Sequence, residues 1–277
     1  MFVFLNGRFV PASKAVVSVF DRSFLYGDGL FETMRVSNGK PFRWDQHMQR
    51  LKKGAAFLRI RTPFSPDRLH RFARHLVKKN RMPDSLLRLT LSRGVGVRGY
   101  SPKDADQPTI VMSLHAMPGA LSQWKLMVSS FRLPAGEPLA QFKTCNKLAQ
   151  VLARAEADAA GADEALLLNT DGSVVEGATS NLFWIERKTV CTPPLATGIL
   201  AGVTRAVILE ICRKHNLSVR EKKITPRQLA RADGVFLSLS SYGIVEARSL
   251  DGKRLKQSPL VARLAGAYDA LLMRESH

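Results

Sequence analysis

Cysteine is scarce in this chain of 277 residues: there are three, Cys145, Cys191 and Cys212, far apart. That spacing offers neither a disulfide framework nor a Cys/His cluster, so no metal site is expected. Long apolar runs are missing as well. No stretch approaches the roughly 20 residues needed to span a bilayer, and the opening MFVFLNGRFVPA lacks the basic start and continuous apolar core of a secretory leader. A cytoplasmic protein without a membrane partner is expected. Acidic residues are also short, with 23 Asp and Glu against 42 Lys and Arg, for a net charge of +19. Such an excess suits either nucleic acid or an anionic small substrate. The basic residues are spread over separate segments: Arg50, Lys52, Lys53 and Arg59, then Arg68, Arg71, Arg74, Lys78 and Lys79, then Arg213 and Lys214. None of these segments carries the interleaved aromatics that stack bases. They read as solvated helix faces, and no nucleic-acid partner is expected.

What is present is a globular composition, 45% hydrophobic and 23% charged, in a chain long enough for one large or two medium domains. The first 40 residues alternate like a β-meander, with hairpin turns at Asn6-Gly7 and Asn38-Gly39. A helix follows to about Arg59, with Asp45 as candidate N-cap and Met48, Leu51, Ala55 and Leu58 on one face. A second helix begins after Ser65, another cap. Strands are expected at 86–92 and 109–115. This predicts an α+β N-terminal domain over 1–117, a connector over 118–124, and a larger C-terminal domain over 125–277. The latter should hold strands at 125–131, 165–169, 173–176, 182–185 and 235–239, and helices from about Gly202 and over 259–273.

Several stretches could carry chemistry. QFKTCNKLAQVLARAEADAA (141–160) reads as one amphipathic helix, with Leu148, Val151, Leu152, Ala155 and Ala159 on its apolar face. Lys143 stands at its mouth beside Phe142, where desolvation can make a lysine amine nucleophilic. In GILAGVTRAVILEIC (198–212), a helix opens at Gly202, Val203 and Thr204, and a helix N-terminus binds phosphate. Ser240 and Ser241, after a buried strand, offer further short donors. Glu176 follows two valines, and a buried carboxylate needs a partner. Arg50 lies beside the core-facing Leu51 and could reach inward to a phosphate or snorkel outward.

Taken in order, the segments DRSFLYGDGLFETMRV (21–36), HMQRL (47–51), FKTCNKL (142–148), DEALLLNTDGSVVEGATSNLFW (163–184), TPP (192–194) and GILAGVTR (198–205) resemble the class IV aminotransferases. These are the fold-type IV pyridoxal-phosphate enzymes, which include branched-chain and D-amino-acid aminotransferases and aminodeoxychorismate lyase. The resemblance implies a two-domain α/β (α+β) fold and pyridoxal 5'-phosphate as cofactor. It implies that Lys143 binds the cofactor and serves as acid and base, and that Glu176 keeps the pyridine nitrogen protonated. Arg50, Val203, Thr204 and one of Ser240 or Ser241 would hold the phosphate. A homodimer is implied too.

Branched-chain members usually show Asn-Tyr after the lysine, whereas here Asn146 is followed by Lys147. LSRGVGVRGYSP (91–102) is similar to a segment of aminodeoxychorismate lyases, and Thr33 matches a threonine that those lyases place near the cofactor. Arg93 and Arg98 are candidates for a substrate with two carboxylates, since guanidinium binds carboxylate bidentately. Arg35 and Tyr26 are further substrate candidates. The expectation is a 4-amino-4-deoxychorismate lyase giving 4-aminobenzoate and pyruvate. The alternatives are a transaminase of D- or branched-chain amino acids and, remotely, a nucleic-acid-binding protein without enzymatic activity.

Overall fold

The computed structural model describes residues 1–119 and 123–276. Its contacts divide the chain into two compact units.

The first unit comprises Met1–Pro118, Phe142–Lys147 and Leu272–His277. It holds β1 (Phe2–Leu5), β2 (Arg8–Pro11), α1 (Arg22–Tyr26), β3 (Gly29–Ser37), β4 (Lys40–Pro41), α2 (Trp44–Leu58), α3 (Pro66–Asn80), β5 (Ser85–Ser92) and β6 (Thr109–His115). The six strands form one sheet in the order β2-β1-β6-β5-β3-β4. Both expected hairpin turns form, with Asn6 and Asn38 at φ 47° and the following glycines also positive; only Gly and Asn enter that region cheaply. Along β3 the chain alternates: Leu30, Glu32, Met34 and Val36 are buried, while Phe31, Thr33 and Arg35 are half-buried. The buried side packs with Met48, Leu51 and Ala55 of α2 and Leu69, Ala73 and Leu76 of α3. Ser65 caps α3 by accepting from the Arg68 N–H at 3.3 Å. At α2 the cap differs from expectation. Arg43 stands there in the left-handed region, and Asp45 sits in the first turn, where the helix dipole favours an acid.

The second unit comprises Gly119–Gln141 and Leu148–Leu271. Its elements are β7 (Gln123–Leu133), α4 (Leu148–Ala159), β8 (Glu164–Asn169), β9 (Val174–Gly177), β10 (Asn181–Glu186), β11 (Thr189–Thr192), α5 (Val203–Lys214), β12 (Val219–Glu221), α6 (Pro226–Leu229), β13 (Gly234–Leu239), β14 (Gly243–Leu250), β15 (Lys253–Arg254) and α7 (Pro259–Ser276). The sheet runs β12-β11-β10-β13-β14-β7-β8-β9, with β15 on β14. Because β9 also pairs with β10, at Asn181↔Glu176, six of these strands close into a ring.

Two expectations about the lysine segment are corrected. The helix starts at Leu148, not Gln141, and residues 142–147 belong with the first unit. They run beside β3: the Phe31 N–H donates to the Lys143 carbonyl at 2.9 Å, and Cys145 N–H to the Gly29 carbonyl at 2.8 Å. Phe142 is buried in the first unit's core. Edge-strand pairing satisfies backbone groups that a helix would otherwise have claimed. The apolar face of α4 is also inverted. Leu148, Val151, Leu152, Ala155 and Ala159 are exposed, and Ala153 and Ala157 are buried against Ala165, Leu167 and Val175. Small side chains let the helix lie close to the sheet, and periodicity alone does not say which of two apolar stripes faces inward.

Among the described residues, no helix is long and apolar enough to cross a membrane.

Candidate active site

In the first unit the candidate residues gather on the half-buried face of β3 and β5. Thr33 lies directly across from Arg88, and Phe31 across from Thr90. The Lys143 Nζ is 4.7 Å from the Phe31 ring centroid, and the Arg88 guanidinium carbon is 3.9 Å from the same centroid. Both distances are within the range where a ring face attracts a cation. Arg35 follows two residues beyond Thr33 on the same face. The first unit therefore presents an amine and a guanidinium at one aromatic ring, with the Thr33 hydroxyl and a second guanidinium, Arg35, further along the same face of β3. Arg88 was not singled out from the sequence; its signal was a charged residue inside the apolar strand LLRLTLS. Burial pulls its guanidinium below the ordinary range.

Behind that face lies a buried ionic group. Glu32 is 1% exposed and sits on the core side of β3. It accepts from Arg50 Nε at 2.8 Å and Nη2 at 2.5 Å, and from His47 Nδ1 at 2.6 Å. Burial by itself would push the Glu32 carboxyl up. The Arg50 guanidinium and the His47 N–H outweigh that and hold it down at about 2. His47 is lowered as well, mainly by burial and further by Arg50 and Lys143, against the raising effect of the Glu32 carboxylate. Arg50 is thus held along its Nε–Nη2 edge by a carboxylate that the sequence reading overlooked. The clue was a charged residue at a core position of an alternating strand, with His47 and Arg50 three residues apart on α2.

The other substrate candidates fall elsewhere. Arg93 is buried and fully engaged: its Nε and Nη2 bind Asp28 at 2.7 and 3.0 Å, and it donates to the Leu58 and Arg59 carbonyls. It ties the end of α2 to the start of β3. Burial pushes the Asp28 carboxyl up, and Arg93 and Arg22 outweigh this to bring it below its ordinary value. Tyr26 accepts from the Gly99 N–H at 3.2 Å and packs edge-on against Tyr100. Arg98 lies exposed on the same loop. Arg22 knits that loop down through the carbonyls of Gly99, Tyr100 and Ser101.

In the second unit the candidates gather at one end of the strand ring. Glu176 Oε2 accepts from the Leu200 N–H at 2.9 Å and from Asn181 Nδ2 at 3.4 Å. Asn181 Nδ2 also donates to the Leu200 carbonyl at 2.9 Å. Asn181 therefore holds Glu176 and the loop leading into α5 together. Gly202 is the N-cap of α5 and has no side-chain cap; a Cβ there would stand 1.9 Å from Asn181 Oδ1. Val203 and Thr204 follow as the first helical residues, both buried. Ser240 and Ser241 are half-buried in the turn after β13. Upstream, Glu164 is fully buried with no basic partner in its hydrogen bonds, and accepts from Thr179 and Ser180 in the turn before Asn181. Burial pushes its carboxyl up.

The family profile "Amino-transferase class IV" matches residues 29–250. A Methanocaldococcus jannaschii protein provisionally named a branched-chain-amino-acid aminotransferase is 36% identical over 256 residues, covering 91% of this chain and 89% of its own. The aminodeoxychorismate lyase of Bacillus subtilis is 32% identical over 247 residues, covering 88% and 84%. Among solved structures, the T.th. branched-chain amino acid aminotransferase complexed with N-(5'-phosphopyridoxyl)-L-glutamate superposes with a TM-score of 0.91. It is 27% identical and covers 99% of this chain and 94% of that one. The chain belongs to the class IV aminotransferases and has their mixed α/β, fold-type IV architecture. It is an enzyme of that family, and a pyridoxal-phosphate type of cofactor goes with it.

The residues present fit such a group. The α5 N-terminus offers backbone N–H donors with no side-chain cap, as an anion requires. In the same unit, the buried Ser238 Oγ, in register with Asn181, has no hydrogen-bond partner.

Proposed function

We propose that the protein is a 4-amino-4-deoxychorismate lyase that uses pyridoxal 5'-phosphate to release 4-aminobenzoate and pyruvate. The observation that carries this reading is Thr33, flanked on one face of β3 and β5 by Arg35 and Arg88, whose guanidinium shares the Phe31 ring with Lys143. Two guanidiniums suit a substrate with two carboxylates. A hydroxyl between them suits a reaction in which a proton must reach a departing group.

In this proposal Lys143 holds the cofactor, Arg50, Val203, Thr204 and Ser240 or Ser241 bind its phosphate, and Glu176 faces its pyridine nitrogen. When bound, the cofactor supplies an electron sink beside the amine-bearing carbon. Lys143 Nζ removes the proton from that carbon. The bond from the neighbouring ring carbon to the enolpyruvyl oxygen breaks, and Thr33 Oγ1 passes a proton toward the departing enolpyruvate, which becomes pyruvate. Glu32 fixes the guanidinium of Arg50 so that its direction is set before the phosphate arrives. Asn181 does the same for Glu176.

The runner-up is a transaminase, favoured by the 36% identity to the Methanocaldococcus jannaschii protein. In that case Arg35, Arg88 or Arg98 would clasp a single α-carboxylate. We also propose a homodimer. Phe20, Phe24 and Leu25 in the first unit, and Leu148 and Val151 in the second, are exposed apolar side chains of the kind an interface covers. Sedimentation of the purified protein tests this, and a monomer at micromolar concentration would refute it.

The assay for the central reading is 4-aminobenzoate formation from aminodeoxychorismate. Formation is expected, with complete loss in Lys143→Ala and a loss of about 100-fold or more in kcat for Thr33→Ala, the scale of one positioned proton donor. No product, with turnover of D- or L-amino acids instead, would overturn the lyase in favour of the transaminase.

A further inference from the structure

One face of the first unit collects charge that the proposed reaction does not use. The outward side of α3 carries Arg71, Arg74 and Lys78 at helical spacing, with Arg81 at its C-cap, all exposed. These residues form one wall of a cleft of about 570 Å³. The other wall is the β3–β4 turn, Asn38, Gly39 and Lys40, with Pro83. That turn is fixed: the Asn38 N–H donates to Asp84 Oδ1 at 3.2 Å, Asn38 Nδ2 to the Ser276 carbonyl at 3.1 Å, and the Gly39 N–H to the Pro83 carbonyl at 2.9 Å. No acidic side chain lines the cleft. The nearby acids are engaged elsewhere, Asp84 on Asn38 and Glu275 on Arg43 at 3.0 Å.

The arrangement is unfavourable for the helix alone. Arg71, Arg74 and Lys78 are like charges at i,i+3 and i,i+4, which repel, and the only acid on α3 is Asp67 in its first turn. The dipole at the C-terminal end accounts for Lys78 and Lys79. It does not account for Arg71 and Arg74, which stand near the middle. Along the axis, Arg71 to Arg81 spans about 15 Å at about 1.5 Å per residue. A single nucleic-acid strand places a phosphate about every 3.4 Å of duplex axis, so about four phosphates cover that length. A free phosphate or diphosphate would meet only one or two of the four cations along α3. The trough is walled on two sides, which suits a rod better than a flat lipid surface. It carries no exposed Phe, Tyr or Trp for stacking bases, so contact would be to the backbone and independent of sequence.

We propose that this cleft binds the phosphate backbone of duplex nucleic acid. The sequence reads these residues as a solvated helix face; folding sets them opposite a fixed turn, with no acid between. Binding uses none of the residues placed in the active site and is independent of which reaction the enzyme runs.

The test is fluorescence anisotropy of the full protein on a labelled 20-base-pair DNA duplex of arbitrary sequence, from 50 to 200 mM salt. Four phosphate contacts predict a slope of log K against log salt of about −3.6, a loss of about 150-fold over that range. Arg71→Ala/Arg74→Ala/Lys78→Ala should reduce the slope to about −0.9 and the loss to about threefold, with enzymatic turnover unchanged. The control is Arg248→Ala/Lys253→Ala/Arg254→Ala, which removes the same charge from exposed positions of the second unit. It should leave most of the slope in place. Equal losses in the two triple variants would overturn the cleft, because net charge alone would then explain the binding. So would an unchanged slope in the α3 variant, or no duplex binding at 50 mM salt. Capture on phosphatidylserine vesicles without duplex binding would transfer the surface to a membrane and likewise sink the proposal.

Discussion

Replacing Glu32 with glutamine should be among the most costly isosteric changes in the first unit. The carboxylate is 1% exposed, and its partners Arg50 and His47 are nearly as enclosed. Its fall from an ordinary 4.5 to about 2 corresponds to about 3 kcal/mol of folding stability at neutral pH. Breaking a buried pair on one side costs about 3–5 kcal/mol by the general range, in agreement. The direction with pH follows from the lowered value. The contribution is fully present above about 4.5 and is lost as pH falls toward 2. Urea unfolding of wild type and Glu32→Gln, in a background where Trp124 and Trp184 are replaced by Phe so that Trp44 in α2 alone reports, should therefore show a gap of about 3 kcal/mol at pH 7 that narrows steadily below about pH 4.5. Cofactor affinity should weaken in parallel, because Arg50 loses the group that orients it. A gap under about 1 kcal/mol at pH 7, or one that stays constant from pH 7 to pH 3, would refute the account, since the ion pair would then be contributing no more than an exposed one.

Arg93→Lys should destabilise the protein by about 2 kcal/mol, because a lysine cannot span both Asp28 oxygens and the Leu58 and Arg59 carbonyls together. KM should be unchanged, and a rise in KM of about tenfold, or about 1.4 kcal/mol, with normal thermal stability would return Arg93 to the substrate. Gly202→Ala should leave the circular dichroism spectrum intact and weaken cofactor retention on gel filtration, since the new Cβ would displace Asn181 from Glu176 and Leu200. Full retention would show that Asn181 does not set that geometry.

The features legible in the sequence are those decided locally. Asn6-Gly7, Asn38-Gly39 and Ser65 each fix a turn or cap within a few residues, and all three form as read. The Lys143 segment, Glu176 and the α5 start stand out in the sequence because their motifs, weak one by one, occur together in the order of a known family. The pairing of Arg93 with Asp28 was not legible, because the two lie 65 residues apart and spacing says nothing about a pair so distant. Glu32 and Arg88 were missed for a related reason. A charge in an apolar strand looks like an exception until the facing helix or strand supplies what compensates it. On α4, two apolar stripes competed, and closeness of approach to β7 and β8 decided for the alanines, a quantity that hydrophobicity does not encode.

Strand closure in the second unit has a consequence for behaviour at high concentration. An open sheet leaves a row of unpaired amides and carbonyls at each side, a template for another chain to add to. Here the ring removes most of that template, and the strands that remain outermost are β12, three residues, and β15, two residues. In the first unit the outer strands are β2, four residues ending in Pro11, and β4, two. None is long enough to seed extended pairing between molecules. Self-association of the folded protein is therefore directed to side-chain surfaces rather than to extension of either sheet.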